Sequence, residues 1–210
     1  MSDPLSTWKR MSTGNENGVL PVGVRNGASV ADRPLAAVFR CADAGLPSEL
    51  VFGQRWGSLV DVSTWGHVID IGVIATLEYA VESLEVPLIV VLGHDDCGAT
   101  RAAMRAWTEA ALPDGSTRIA VEHVIGSMVR RGSDRRSDRR SDKASIEAVT
   151  AAHVAETGLA LLERSRVIAR RVDAGRCAIV CATADAHGRI RARATVGAVG
   201  EDADSLLECV

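Results

Sequence analysis

The run Pro87-Leu-Ile-Val-Val-Leu-Gly93 constrains this chain more than any other segment. It is apolar throughout, without alternation, so as a strand it must be buried on both faces, as a central strand of a parallel sheet is. Parallel neighbours need crossover connections long enough to hold a helix, and the flanking sequence supplies them. From Asp70, which suits an N-cap, Val73, Ile74, Leu77, Val81 and Leu84 recur at three- and four-residue steps until Val86-Pro87 ends the helix. Helical patterns return over Gly98–Ala111, Arg118–Arg131 and one long stretch from Ala144 to Val172, which Gly175 closes. Further strands are read at Leu35–Cys41, Ser58–Ser63 and Cys177–Thr183, with Pro47–Phe52 a turn or short helix. Arg189–Thr195 alternates as a half-exposed edge strand would, joined to its predecessor by a turn at Ala186-His-Gly-Arg189. The predicted fold class is α/β: a mostly parallel central sheet with flanking helices, an antiparallel edge strand and an N-terminal helical arm.

At 210 residues, with 47% hydrophobic and 24% charged side chains, the chain matches one soluble domain with a substantial core. Residues 1–34 form the arm, polar apart from Leu5, Trp8 and Met11, whose three-residue spacing predicts one short amphipathic helix. That arm either docks on the domain or a second subunit, or is disordered. The single α/β domain then spans 35–210. Within it, 130–143 carries Ser-Asp-Arg-Arg twice and then Ser-Asp-Lys, with seven positive and three negative side chains and nothing apolar to bury. It reads as an exposed, solvated loop. With a formal net charge of −3 overall and no aromatic in the repeat, no nucleic-acid partner is expected. No stretch approaches the ~20 apolar residues of a membrane span, and no signal-peptide core is present near Met1, so no membrane partner is expected and the cytoplasm is the expected compartment.

Five cysteines, an odd count spread along the chain, do not resemble a disulfide framework and leave reduced thiols available to a metal. Cys177 and Cys181 lie four apart on one strand, about 13 Å at ~3.3 Å per residue, and read as core thiols. Cys209 reads as a free exposed thiol. Cys41 and His94-Asp-Asp-Cys97 differ: each follows an apolar strand and each precedes small residues. If the two strands are parallel neighbours, Cys41, His94 and Cys97 meet at their C-terminal ends. Two thiolates and an imidazole form a zinc donor set with a fourth position open, the catalytic rather than the structural pattern. Asp43, two residues beyond Cys41, stands beside that position. His123 and His153 fall on predicted helices as packing or surface residues, and His187 in a turn.

Cys41-x-Asp43, Pro47-Ser-Glu-Leu-Val-Phe52, Leu77-Glu-Tyr-Ala-Val81 and Val91-Leu-Gly-His-Asp-Asp-Cys-Gly-Ala99 together resemble the β-class carbonic anhydrases. The resemblance runs from the Trp8 arm to the final strands and is strongest between Ala37 and Ala103. It implies that Cys41, His94 and Cys97 hold Zn2+ and that a zinc-bound hydroxide converts CO2 reversibly to bicarbonate, in a homodimer or larger homo-oligomer. It also implies that Asp43 accepts a hydrogen bond from the zinc-bound water or displaces it as a fourth metal ligand. The Gly98 N–H, at a helix N-terminus, would meet the anionic product.

The departures cluster at the same place. The family's Cys-Ser/Ala-Asp-Ser-Arg ends here in Gly45, so the arginine that pairs with the aspartate is missing. A second family arginine is replaced by Ser63, and Gly53 and Ser58 stand where aspartates are usual. Two outcomes follow. Either Asp43 binds zinc and the protein is catalytically silent or repurposed, or Arg55, Arg101 or His67 takes over the arginine's part. Trp56 and Trp65, bulky where the family often has small residues, would narrow the cleft or thicken a dimer contact. His67 lies in a segment that lines the cleft in the family.

Overall fold

The computed structural model describes residues 3–16, 33–45, 47–133 and 146–199. The apolar run becomes β3 (Leu88–His94), with every residue but the last buried. It pairs in parallel with β1 (Ala36–Cys41) on one side and with β4 (Ala178–Ala184) on the other. Beyond β1 lies β2 (Leu59–Thr64), also parallel, and β5 (Ile190–Val196) closes the far edge antiparallel to β4. The spatial order is therefore β2-β1-β3-β4-β5. The chain leaves β1 in one direction and β3 in the other, so a crevice opens between their carboxyl ends.

Strand alternation splits the core into two layers. Ala37, Phe39, Ile89, Val91, Ile179 and Cys181 face one side, against α3 (Ile71–Glu82), α6 (Ile146–Arg164) and α7 (Arg166–Asp173). Ala36, Val38, Leu88, Val90, Val180 and Ala182 face the other, against Met11 of α1 (Pro4–Glu16) and Val51 and Phe52 at α2 (Ser48–Val51). A third cluster joins α4 (Gly98–Glu109), α5 (Thr117–Ser133) and α6 around Cys41 and Cys97. Gly93 allows α6 to close on the end of β3, since a Cβ there would sit 2.8 Å from Val154 Cγ1.

Asp70 caps α3 as its sequence position predicts, its Oδ1 accepting from Val73 N at 2.8 Å. The arm helix is longer than the leucine–tryptophan–methionine spacing alone requires and lies on the sheet, with Met11 fully buried. Asn15 fastens its end: Nδ2 donates to the carbonyls of Val51 and Gly188, and Oδ1 accepts from Ile190 N. The single long helix expected from Ala144 to Val172 is instead two. Ser165 takes an extended conformation (φ −128°, ψ 108°) between them and caps α7, accepting from Ile168 N. Its hydroxyl donates to Glu78 Oε1 at 2.6 Å, a partner on α3 that repays the break. The Ser-Asp-Arg-Arg repeat beyond residue 133 and Cys209 lie outside the described residues. No described helix is long and apolar enough to cross a membrane.

Ser165→Ala removes a cap and strands the Glu78 carboxylate without its donor. The expected loss is about 1–2 kcal/mol, read as a lower urea midpoint at unchanged slope.

Candidate metal centre

Parallel pairing of β1 with β3 delivers Cys41, the last residue of β1, and His94, the last of β3, to the same crevice. Cys97 follows three residues after His94 as the residue before α4, and Asp96 makes the turn with a left-handed φ of 56°. The turn is pinned to β4 by Asp95 N donating to Ala184 O at 2.9 Å. Asp43 sits in the turn after β1, where Ala44 N returns to Cys41 O. Cys41, Asp43, His94 and Cys97 thereby bring one potential ligand atom each within 4.8 Å of all the others.

The spacing fits a tetrahedral ion. Two thiolates bound at ~2.3 Å with tetrahedral angles stand ~3.8 Å apart, and the Cys41 and Cys97 sulfurs are 3.8 Å apart. A carbonyl oxygen can only accept, so the 2.9 Å contact of His94 Nδ1 with Asp95 O puts the proton on Nδ1 and turns Nε2 to the donor set. Asp43 Oδ1 lies 2.8 Å from both His94 Nε2 and Cys41 Sγ, and 4.0 Å from Cys97 Sγ. Three acidic side chains thus converge on one imidazole, an arrangement that favours a cation. The Cys41 thiol's hydrogen bond lowers Cys97 to about 4, and the same contact, with burial, pushes Cys41 upward. Burial opposes charge on His94, but its contacts with Cys97 and Asp43 prevail and raise it to about 9. Burial likewise opposes charge on Asp43, and hydrogen bonds from Cys41, His94 and Gly98 N–H outweigh it and lower its carboxyl.

Asp43 is held inward. Its Oδ2 accepts from Gly98 N at 2.8 Å, at the N-terminus of α4, where the helix dipole favours an anion. The N–H expected to meet an anionic product is therefore engaged by Asp43. A Cβ at Gly98 would lie 2.7 Å from Asp43 Oδ2, so a larger residue there would push the carboxylate from this position. Trp65 packs with the Cys41–Cys97–Ala99 cluster, whereas Trp56 stays 46% exposed. None of the candidate substitutes for the missing arginine pairs with Asp43 among the described residues. Arg101 is on Asp96 at 2.5 Å, and Arg55 is exposed. His67 is buried against Phe39 with Nε2–H on Leu92 O. Arg40 turns away to Asp61. At Gly45 a Cβ would meet nothing within 4 Å, so the backbone there accepts a side chain without a clash at its first carbon. Beside it a cleft of about 190 Å3 opens along Ala44, Gly45, Leu92, His94, Asp95 and Ala184.

A parallel α/β sheet with a Cys-Asp, His-x-x-Cys crevice at its switch point defines the class of protein, and comparison with known proteins agrees. The carbonic anhydrase family model matches residues 36–189. The chain is 38% identical to carbonic anhydrase 2 of Mycobacterium tuberculosis, over 96% of its own length and 98% of the relative's. It is 40% identical to a carbonic anhydrase of Mycolicibacterium smegmatis, over 95% and 98%. A chain from the structures of two tetrameric β-carbonic anhydrases of Sordaria macrospora shares the fold, with TM-score 0.64 and 20% identity over 77% of this chain and 81% of that one. This chain belongs to the carbonic anhydrase family, with the fold of its β class.

Sequence reading left His123 and His153 as packing or surface residues and set His67 in a cleft-lining segment, and the structure gathers all three behind the centre. His67, His153 and His123 stack edge to face, with centroids 5.6 and 5.1 Å apart. His153 is 2% exposed, its Nε2–H donating to Gly66 O at 3.0 Å and its Nδ1 accepting from Ser127 Oγ at 3.0 Å. The one available signal is that His153 shares the apolar face of α6 with Val149 and Thr157. Burial, then the neighbouring imidazoles, lower His153 to about 3, so it stays neutral when folded. A histidine depressed below its unfolded value stabilises fully above pH ~6.5 and loses that contribution as the pH falls towards the folded value. Between pH 7.5 and 5.5 the loss is about 1.4 kcal/mol. His153→Gln, which cannot titrate, should show a stability deficit at pH 7.5 that shrinks by about that amount at pH 5.5. Urea denaturation of both proteins at the two pH values measures it.

Proposed function

We propose that Cys41, His94 and Cys97 hold Zn2+, that Asp43 closes the fourth position in the arrangement described, and that the protein catalyses the reversible hydration of CO2 to bicarbonate once Asp43 withdraws. The convergence of four donor atoms within 4.8 Å carries this reading. Zinc bound there supplies a Lewis acid that brings the pKa of a water to ~7, low enough to attack CO2 at neutral pH. The chain's own residues set access to it. His94 is oriented by Asp95 O, Cys41 receives the Gly66 N–H, and Asp43 is tethered by the Gly98 N–H, which is released to an anionic product only when Asp43 moves. The cleft beside Gly45 and His94 is the approach for a small neutral substrate. We place the protein in the cytoplasm as a homodimer or larger homo-oligomer, supported by the tetrameric relatives of the same fold.

One observation favours a second reading, a catalytically silent or repurposed zinc protein with Asp43 as the permanent fourth ligand. Asp43 Oδ1 already lies among the donors, and among the described residues no guanidinium draws it outward. Stopped-flow CO2 hydration by zinc-loaded protein separates the two, with Cys41→Ala as the control. Activity above that control supports the enzyme, and none at any pH from 7 to 9 leaves the silent reading. An Arg–carboxylate pair at Gly45→Arg, alone or with Ser63→Arg, competes with zinc for Asp43. It should raise kcat about tenfold, equivalent to roughly 1.4 kcal/mol, within the range of a charge-assisted hydrogen bond.

A further inference from the structure

We propose that His153 is a positioning residue for the metal centre: from α6 it holds Gly66 so that the Gly66 N–H stays on Cys41 Sγ. The inference rests on the reading of Cys41 as a metal ligand. Gly66 has φ 66° and ψ 27°, and a Cβ there would lie 3.0 Å from both Ala120 Cβ and Ala99 Cβ, so its backbone is wedged between α4 and α5. Hydrogen bonds reach this turn from β1, α6 and β3, and His123 on α5 is in hydrogen-bond contact with Gly66 as well. Gly66 N donates to Cys41 Sγ at 3.2 Å, at the end of β1. His153 Nε2–H donates to Gly66 O at 3.0 Å, from α6. His67 Nε2–H donates to Leu92 O at 3.1 Å, two residues before His94 on β3.

The His153 ring has one usable orientation. Gly66 O can only accept, which places the proton on Nε2 and leaves Nδ1 to accept the Ser127 hydroxyl at 3.0 Å. The His67 and His123 rings stand edge-on to it on either side. An N–H on a ligating sulfur withdraws electron density from it, so a shift of Gly66 by a few tenths of an ångström changes how strongly Cys41 donates to a metal. Outer partners that orient ligands in this way typically change metal affinity 10–100-fold when removed. A histidine that only filled space would leave the sulfur's electronic character untouched.

The test is cobalt substitution. Co(II)-loaded wild type, His153→Gln, which keeps an N–H near the Nε2 position, and His153→Leu, which has none, are compared by sulfur-to-cobalt charge-transfer absorption and by release of Co(II) to a competing chelator. The expected result is that His153→Gln matches wild type, while His153→Leu shifts the charge-transfer band and releases cobalt about tenfold more readily. The inference is overturned if His153→Leu coincides with wild type in both readouts, or if His153→Gln departs as far as His153→Leu. Should His153→Leu fail to fold, Ser127→Ala decides: a band shift supports the proposal and an unchanged band overturns it. Wild type that takes up no Co(II) defeats the metal-site reading and the inference together, whereas wild type that binds beside indifferent variants defeats the inference alone.

Discussion

The parallel pairing of β1 with β3 is the constraint on which the rest depends. Arg40 stands opposite Leu92, so the two strands leave the sheet side by side, β1 at Cys41 and β3 slightly further on at His94. Parallel strands share a direction, so both carboxyl ends open on the same edge. The connections after them diverge, one toward β2 and one toward α4, and this divergence leaves the crevice in which the donor set forms. An antiparallel register at this one pair would put the thiol and the imidazole at opposite ends of the sheet. The glycines near the crevice serve the same end: Gly93 admits α6 behind it, and Gly98 admits the Asp43 carboxylate in front.

Within that crevice the balance turns on Asp43. The carboxylate has three attractors on one side: His94, the Cys41 thiol and the N-terminus of α4 through Gly98. On the other side Gly45 offers only space. The cations placed to compete are committed elsewhere, Arg40 to Asp61 and Arg101 to Asp96. With no side chain at the exposed Gly45 to reach the carboxylate, the described contacts hold Asp43 on the donor side.

What was legible in the sequence was local. The β3 run, the Asp70 cap and the alternating last strand each carry their pattern within a few residues, and the structure has all three. That Cys41, His94 and Cys97 would meet at one crevice was legible because strand-end turns keep a fixed relation to their strands. The break at Ser165 was not. Serine is tolerated within helices, and the interaction that favours its extended form comes from Glu78, 87 residues earlier. The hydrogen bonds of His153 were hidden for the same reason: its partners are Gly66 and Ser127, on two other elements, and nothing in the spacing of α6 points to either. His67 shows the converse error. The resemblance set it in a cleft-lining segment, but its ring turns inward to Leu92 and Phe39.

Asn15 draws together two parts of the chain that are synthesised far apart. Its side chain bonds Gly188 and Ile190, 173 and 175 residues later, at the turn that launches the antiparallel edge. Contacts of such sequence separation close large loops, and loop closure is an entropic cost met before any packing rewards it. Asn15 makes its bonds to Gly188 and Ile190 only when the turn between β4 and β5 is formed, so opening that turn and releasing the end of the arm helix are thermodynamically linked.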